Sequence, residues 1–146
     1  MLSQVKHPLT ASFEYIFSED DAVDHSHADF DATRYERELE PQYLPLRAGE
    51  RPTRFVCKPL AREVMTKIAR ITGITGTDNY AEACQVAVAY GLKSIIDGPL
   101  DLQLKFDRSG ERLENKSLDD LYNIFMFGFF SRLGEAIVRR STLSPF

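Results

Sequence analysis

The segment from Ser117 to Arg140 constrains this chain most, because it has the length of a helix but no polar face in its middle. Every residue from Ile124 to Phe130 is apolar or glycine. A helix that lies on a protein surface has one apolar stripe and one polar face. We therefore predict a last helix over residues 117–140 that is covered on several sides, either by the rest of this chain or by a partner.

The aromatic residues of this predicted helix fall on two different sides. Tyr122, Phe125 and Phe129 share one stripe, which we expect in the core. Phe127 and Phe130 lie on another side. The second side has two interpretations, further core or a protein interface, since interface centres are rich in aromatic residues and methionine. The predicted anchors of a protein interface are aromatic residues near both ends of the chain: Phe125, Phe127, Phe129, Phe130, Phe146, Phe13, Tyr15 and Phe17.

Charge divides the chain into two unequal parts. Residues 18–52 contain ten acidic and four basic residues, a balance of −6, while the remainder contains twelve and fourteen, a balance of +2. The acidic part also contains three prolines and few aliphatic residues, so it has little material for a core. We predict an N-terminal strand and an extended acidic arm over residues 1–52, with a short helix at Ala32–Glu40. Residues 53–146 are predicted to form a compact α+β body.

Local patterns predict the remaining elements. Short segments at 13–17, 53–58 and 100–106 are typical of strands. Apolar residues at helical spacing over 60–71, and a segment rich in small and apolar residues over 80–96, predict two helices before the last one. The predicted fold class is therefore α+β, with three main helices, a small sheet of about three short strands and a long acidic N-terminal arm.

The sharpest candidate for a metal site is the pair His25 and His27, which is flanked by Asp24 and Asp29. A His-x-His motif places two imidazoles on one side of an extended segment, and nearby carboxylates can complete a site. Metal ligands need a rigid frame, however, and these residues lie in the predicted arm. We prefer the interpretation that they are solvated polar residues, and we predict no metal and no cofactor.

The chain shows no pattern typical of a nucleophile or a phosphate site. Cys57 lies on a predicted strand and Cys84 on a predicted buried helix, and we interpret both as free, buried thiols. Gly73 and Gly76 form the only glycine-spaced turn between elements, but this turn has no phosphate-binding lysine. We therefore predict that the protein is not an enzyme.

Five basic residues bracket the second strand and the helix that follows it. Three interpretations remain: a solvated face, an electrostatic contact with an acidic arm of this chain or of a neighbour, and nucleic acid binding. The net charge of −4 disfavours nucleic acid binding, and no apolar run approaches the length needed to span a membrane. These residues are Arg54, Lys58, Arg62, Lys67 and Arg70.

Five segments of the chain resemble small structural or assembly proteins from the tail-gene region of tailed bacteriophages, which include tail assembly chaperone-like proteins. They are Gly49–Phe55, Pro59–Leu60, Val88–Leu92, Leu133–Ile137 and Ser141–Leu143. The resemblance covers residues 49–143 loosely, and residues 1–48 have no counterpart in it. It implies a non-enzymatic protein that binds tail components, either in the finished virion or during assembly.

This resemblance and the aromatic pattern of the last helix together predict a bacteriophage structural protein of the tail, neck or baseplate. We expect it to be made in the host cytoplasm and located in the virion. Its partners would be other phage structural proteins and further copies of itself, bound through the aromatic last helix and the N-terminal arm. Two alternatives remain: a tail assembly chaperone that is absent from the finished particle, and a soluble acidic adaptor or inhibitor of a host protein.

Overall fold

The computed structural model describes residues 11–74, 78–125 and 128–142. The described residues form an α+β fold in which five α-helices and a short 3-10 helix (Pro41–Tyr43) accompany a three-stranded antiparallel sheet. The strands and α-helices are β1 (Phe13–Tyr15), α1 (Ala32–Glu38), β2 (Arg54–Cys57), α2 (Arg62–Thr72), α3 (Tyr80–Gly91), β3 (Leu92–Ile96), α4 (Asn115–Ile124) and α5 (Phe129–Thr142).

The prediction of three main helices is wrong, because the described residues contain five α-helices. The short helix expected in the acidic segment is present as α1, and the predicted last helix is two helices. Helix α4 ends at Ile124, and Phe125 has an extended backbone. Gly128 has a φ of +88°, a conformation that glycine adopts easily and that cannot continue an α-helix. The chain therefore changes direction between α4 and α5, and the rings of Phe125 and Phe129 stack with their centroids 4.9 Å apart.

The third strand is also not where the sequence pattern placed it. Strand β3 follows α3 directly and pairs with β2, whereas residues 100–106 contain no strand beyond one isolated bridge, Phe106 to Leu113. The helix predicted over 80–96 therefore ends at Gly91. A Cβ atom at Gly91 would lie 2.6 Å from Cγ2 of Ile137, so the absence of a side chain allows α5 to pack at this junction.

Residues 18–52 are packed against the rest of the chain, in contrast to the expected extended arm. Val23, Tyr35 and Leu44 are buried in the same core as the sheet and α5. The Tyr35 hydroxyl accepts a hydrogen bond of 2.9 Å from the backbone N–H of Ile16. Burial raises the pKa of this phenol to about 12. This segment therefore contributes core side chains, and β1 before it pairs with Phe55, Val56 and Cys57 of β2.

The core lies between the sheet and the packed pair α3 and α5. Helix α3 offers small side chains to its neighbour, among them the fully buried Ala87. A Cβ atom at Gly134 of α5 would lie 2.9 Å from the carbonyl oxygen of Cys84. The two helices are therefore in backbone contact, which fixes α5 and the aromatic residues at its start.

Candidate protein-binding groove

The structure places the eight predicted interface residues in three different situations. Phe125 and Phe130 are half-buried and border an open surface, while Phe127 and Phe146 lie outside the described residues. The remaining four are core residues of the single chain, which leaves their rings with little surface for a partner: Phe13, Tyr15, Phe17 and Phe129.

The ring of Phe129 is the centre of this aromatic cluster. It stacks on Phe17 with centroids 5.6 Å apart and meets the edge of Phe55 at 5.4 Å. On its other side it contacts Phe130 at 5.2 Å in an edge-to-face arrangement. Aromatic pairs in such geometries add stability beyond their buried area. The cluster thus connects β1 and β2 to the start of α5 and brings Phe130 to the surface.

An open groove of about 410 Å³ lies between α3, α4 and the start of α5. Tyr122 exposes 69% of its surface, although its ring stacks on Phe130 with centroids 6.4 Å apart. Tyr80 and Ile124 are further large apolar side chains exposed in this region. We call this the aromatic groove and define it by five of its lining residues: Tyr80, Cys84, Tyr122, Phe125 and Phe130.

A second groove of about 410 Å³ lies between α2, α3 and α5, and it shares Tyr80 and Cys84 with the aromatic groove. Its walls include Ile68 of α2 and Val138 of α5. Because Tyr80 and Cys84 line both grooves, the two are adjacent depressions on the same side of α3. A largely apolar depression of this kind suits the apolar face of a helix or an extended segment.

The two cysteines give the groove no thiolate chemistry. Cys57 and Cys84 are both free and buried. Burial raises the pKa of both thiols, and the effect is larger at Cys57, which lies within the sheet. A thiol acts as a nucleophile only as its thiolate, and burial disfavours that form. Cys84 therefore contributes shape to the groove floor and not reactivity.

An ion cluster beside the groove attaches α5 to the acidic segment. Arg132 Nη1 lies 2.6 Å from Glu19 Oε2, and Nη2 lies 3.2 Å from Glu36 Oε2. The guanidinium also lies over the Phe17 ring, 4.9 Å from its centroid. Tyr15 donates a 2.6 Å hydrogen bond to Glu36, and burial together with this bond raises the pKa of the phenol well above its ordinary value. The charged groups of this cluster satisfy one another, so the cluster holds α5 and the acidic segment together.

The two histidines considered as metal ligands are engaged separately. His25 Nε2 lies 2.5 Å from the carbonyl oxygen of Ser18, and its ring meets the edge of Phe30. His27 Nδ1 accepts a 3.0 Å hydrogen bond from the backbone N–H of Asp29. Across residues 11–74, 78–125 and 128–142, no group of three or more His, Cys, Asp or Glu is arranged to hold a metal ion.

Sequence reasoning missed the groove residues Tyr80 and Tyr122. The helical pattern assigned Tyr122 to the core stripe together with Phe125, because it assumed one helix without a break. The end of α4 at Ile124 leaves the Tyr122 ring on the surface. Gly128 was the available signal, since a glycine within an apolar helical pattern often marks a change of direction.

Comparisons of the chain with protein-family models, with curated proteins and with solved structures found no match. Among the helices of the described residues, none has both the length and the apolar character that crossing a membrane requires.

Proposed function

We propose that this chain is a non-enzymatic bacteriophage structural protein that binds other virion components of the tail, neck or baseplate. On this proposal it is made in the host cytoplasm and becomes part of the virion. The observation that carries the binding role is the aromatic groove, where the exposed ring of Tyr122 stacks on Phe130 at the surface and Tyr80 forms a further exposed part of the lining. Exposed rings of this kind supply large contact area with few rotatable bonds, which favours binding.

The proposed docking surface differs from the one that the sequence alone indicates. The packing of residues 18–52 against α5 and the sheet leaves that segment little freedom to reach an adjacent subunit as an extended arm. The aromatic groove and the adjoining groove remain as open apolar surface on the described residues. We therefore assign binding of other virion proteins to the side of the molecule formed by α3, α4 and α5.

The experiment for the binding role uses Tyr122→Ala, because this ring is exposed and its loss removes groove wall without a core cavity. The matched control is Asn123→Ala, the next residue of α4, which is exposed and does not line the groove. Incorporation into particles is measured by quantitative mass spectrometry of particles purified from cells that produce each variant. We expect Tyr122→Ala to lower incorporation at least about tenfold, as loss of an interface hot spot does, and Asn123→Ala to leave it unchanged.

The same measurement distinguishes the finished-particle role from the alternative of an assembly chaperone. A virion component is present in purified particles in a fixed ratio to the other structural proteins. A chaperone is present in the producing cells and absent from the particles, while its groove variant reduces the number of particles. Absence of the chain from both particles and assembly intermediates contradicts the proposal in either form.

A further inference from the structure

The first 14 residues of the acidic segment form a separate negative surface. Residues 18–31 contain six carboxylates and neither lysine nor arginine. Asp24 accepts hydrogen bonds from the backbone N–H and the hydroxyl of Ser26, and Asp20 accepts one from the backbone N–H of Thr53. These bonds give the segment a defined shape, and Asp21 and Asp29 are left exposed on it. We call residues 18–31 the acidic lobe.

A positive surface lies on β2, α2 and the residues between them. Arg54, the first basic residue of this stretch, is paired with Glu14 at 3.3 Å. The other four are exposed, and none of them has an ion-pair partner within the described residues. We call these four the basic ridge: Lys58, Arg62, Lys67 and Arg70.

The basic ridge has little negative charge near it to balance its own. Glu63 is the only acidic residue of α2. The ammonium group of Lys67 lies over the Tyr90 ring, 5.7 Å from its centroid, which holds this cation against the body. Burial, together with the positive charge of Lys58, lowers the pKa of the neighbouring Lys93. Within the described residues, this end of the molecule therefore carries more exposed positive than negative charge, although Glu111 and Asp107 lie close enough to Lys93 to raise its pKa in part.

No ion pair joins the acidic lobe to the basic ridge within the described residues. The lobe is attached to α5 through Glu19 and Arg132, whereas α2, which carries most of the ridge, packs against α3. The sequence left open an electrostatic contact between the basic residues and the acidic segment of the same chain, and the described part of the structure contains no ion pair between the ridge and the lobe. Opposite charges that are unpaired within a chain are available to pair between chains.

We propose that the basic ridge of one molecule docks the acidic lobe of a second copy of this chain. The two surfaces are different patches of the same molecule, so the contact is head-to-tail and each docked copy still presents a free lobe or a free ridge. Such contacts close into rings or extend into open filaments. The contact joins exposed charges, so its strength falls as salt increases.

The ridge and the lobe share no residue with the aromatic groove, so self-association is separable from the proposed binding of virion proteins. The test uses the full-length chain and measures molar mass by light scattering during size-exclusion chromatography at low and high salt. The ridge-reversed variant is Lys67→Glu with Arg70→Glu, and the lobe-reversed variant is Asp21→Lys with Asp29→Lys. The charge-matched control for the ridge is Arg108→Glu with Lys116→Glu, two exposed residues outside it.

We expect the wild-type chain and the charge-matched control to form salt-sensitive oligomers. Each reversed variant alone should need at least about tenfold higher concentration to associate, because like charges then face each other. An equimolar mixture of the two reversed variants should associate again, since the unchanged ridge of the lobe-reversed variant meets the unchanged lobe of the ridge-reversed variant. Circular dichroism melting of every variant checks that the fold is retained.

Several results would overturn this assignment. The wild-type chain could remain a monomer at low salt and high concentration. The ridge-reversed variant could associate as readily as the charge-matched control does. It could also associate normally and lose binding to a DNA fragment, which would make the ridge a nucleic-acid-binding surface. Finally, the mixture of folded reversed variants could fail to associate. If Tyr122→Ala fails to associate while both reversed variants associate normally, the surface for self-association is the aromatic groove.

Discussion

Replacing Gly134 with alanine is the most direct test of the packing that holds α5, and with it the aromatic groove, in place. The added Cβ would lie 2.9 Å from the carbonyl oxygen of Cys84 and 3.0 Å from both its Cα and its Cβ. Two of these three atoms belong to the backbone of α3, so no rotamer change relieves the overlap. The helices must separate by several tenths of an ångström.

The size of the effect follows from two opposing contributions. Forcing an extra carbon into a packed core costs about 1–3 kcal/mol. Alanine is the better helix former, and at an ordinary helix position it is favoured over glycine by about 1 kcal/mol. Because backbone atoms form the contact, we place the packing cost at the upper end and expect Gly134→Ala to lower the free energy of unfolding by about 1–2 kcal/mol.

The assay is urea unfolding followed by circular dichroism, with two companion variants. Ala69→Gly, at an exposed position of α2, measures the preference for alanine over glycine in this protein without a packing change. Cys84→Ala removes only the sulfur, which is not among the atoms in contact, so it should not restore the stability of Gly134→Ala. A Gly134→Ala protein as stable as wild type, or a rescue by Cys84→Ala, would refute the close backbone contact.

Three further outcomes are expected. A chain that starts at Thr53 should lack a cooperative thermal transition, because it has lost β1 and the buried Tyr35; a sharp transition by circular dichroism would contradict this. In the Arg132→Met variant, the free energy of unfolding should decrease less steeply as the pH is lowered than it does in the wild-type protein. The hydrogen bond from Arg132 holds the pKa of Glu19 below its ordinary value, so the stability that this pairing contributes is present at neutral pH and disappears as pH falls through the lowered pKa. Urea titrations from about pH 7 to about pH 3 measure it, and equal slopes in both proteins would contradict the pairing. The thiol of Cys57, buried and with a raised pKa, should react with iodoacetamide only after unfolding, as followed by mass spectrometry.

Several elements were predictable because their signals are local. The alternation at Phe13 and Tyr15 and the apolar spacing that ends at Gly73 correspond to β1 and α2, with small shifts in their ends. The short helix before Pro41 is also present as α1, with Asp31 accepting a hydrogen bond from the backbone N–H of Arg34. A strand of alternating residues or a helix with one apolar face depends mainly on its own sequence.

The errors arose where distant residues decide the local structure. Residues 92–96 continue a helical pattern, yet pairing with β2 makes them a strand, because strand formation depends on the neighbour across the sheet. Residues 117–140 match one helix, and the Phe129 cluster together with the turn at Gly128 makes them two. The acidic segment appeared too polar for a core, but its few apolar side chains, such as Leu44, are placed where the body can bury them.

The sequence by itself determined the α+β alternation of β-prone and helical segments, the separation of negative and positive charge, and the excess of aromatic residues. Only the tertiary structure decided which rings are internal and which line the aromatic groove, because burial depends on what packs against a side chain and not on its type. The same reason applies to charge. Arg132 pairs with Glu19 across more than a hundred residues of chain, whereas no residue of the basic ridge has an ion-pair partner among the described residues.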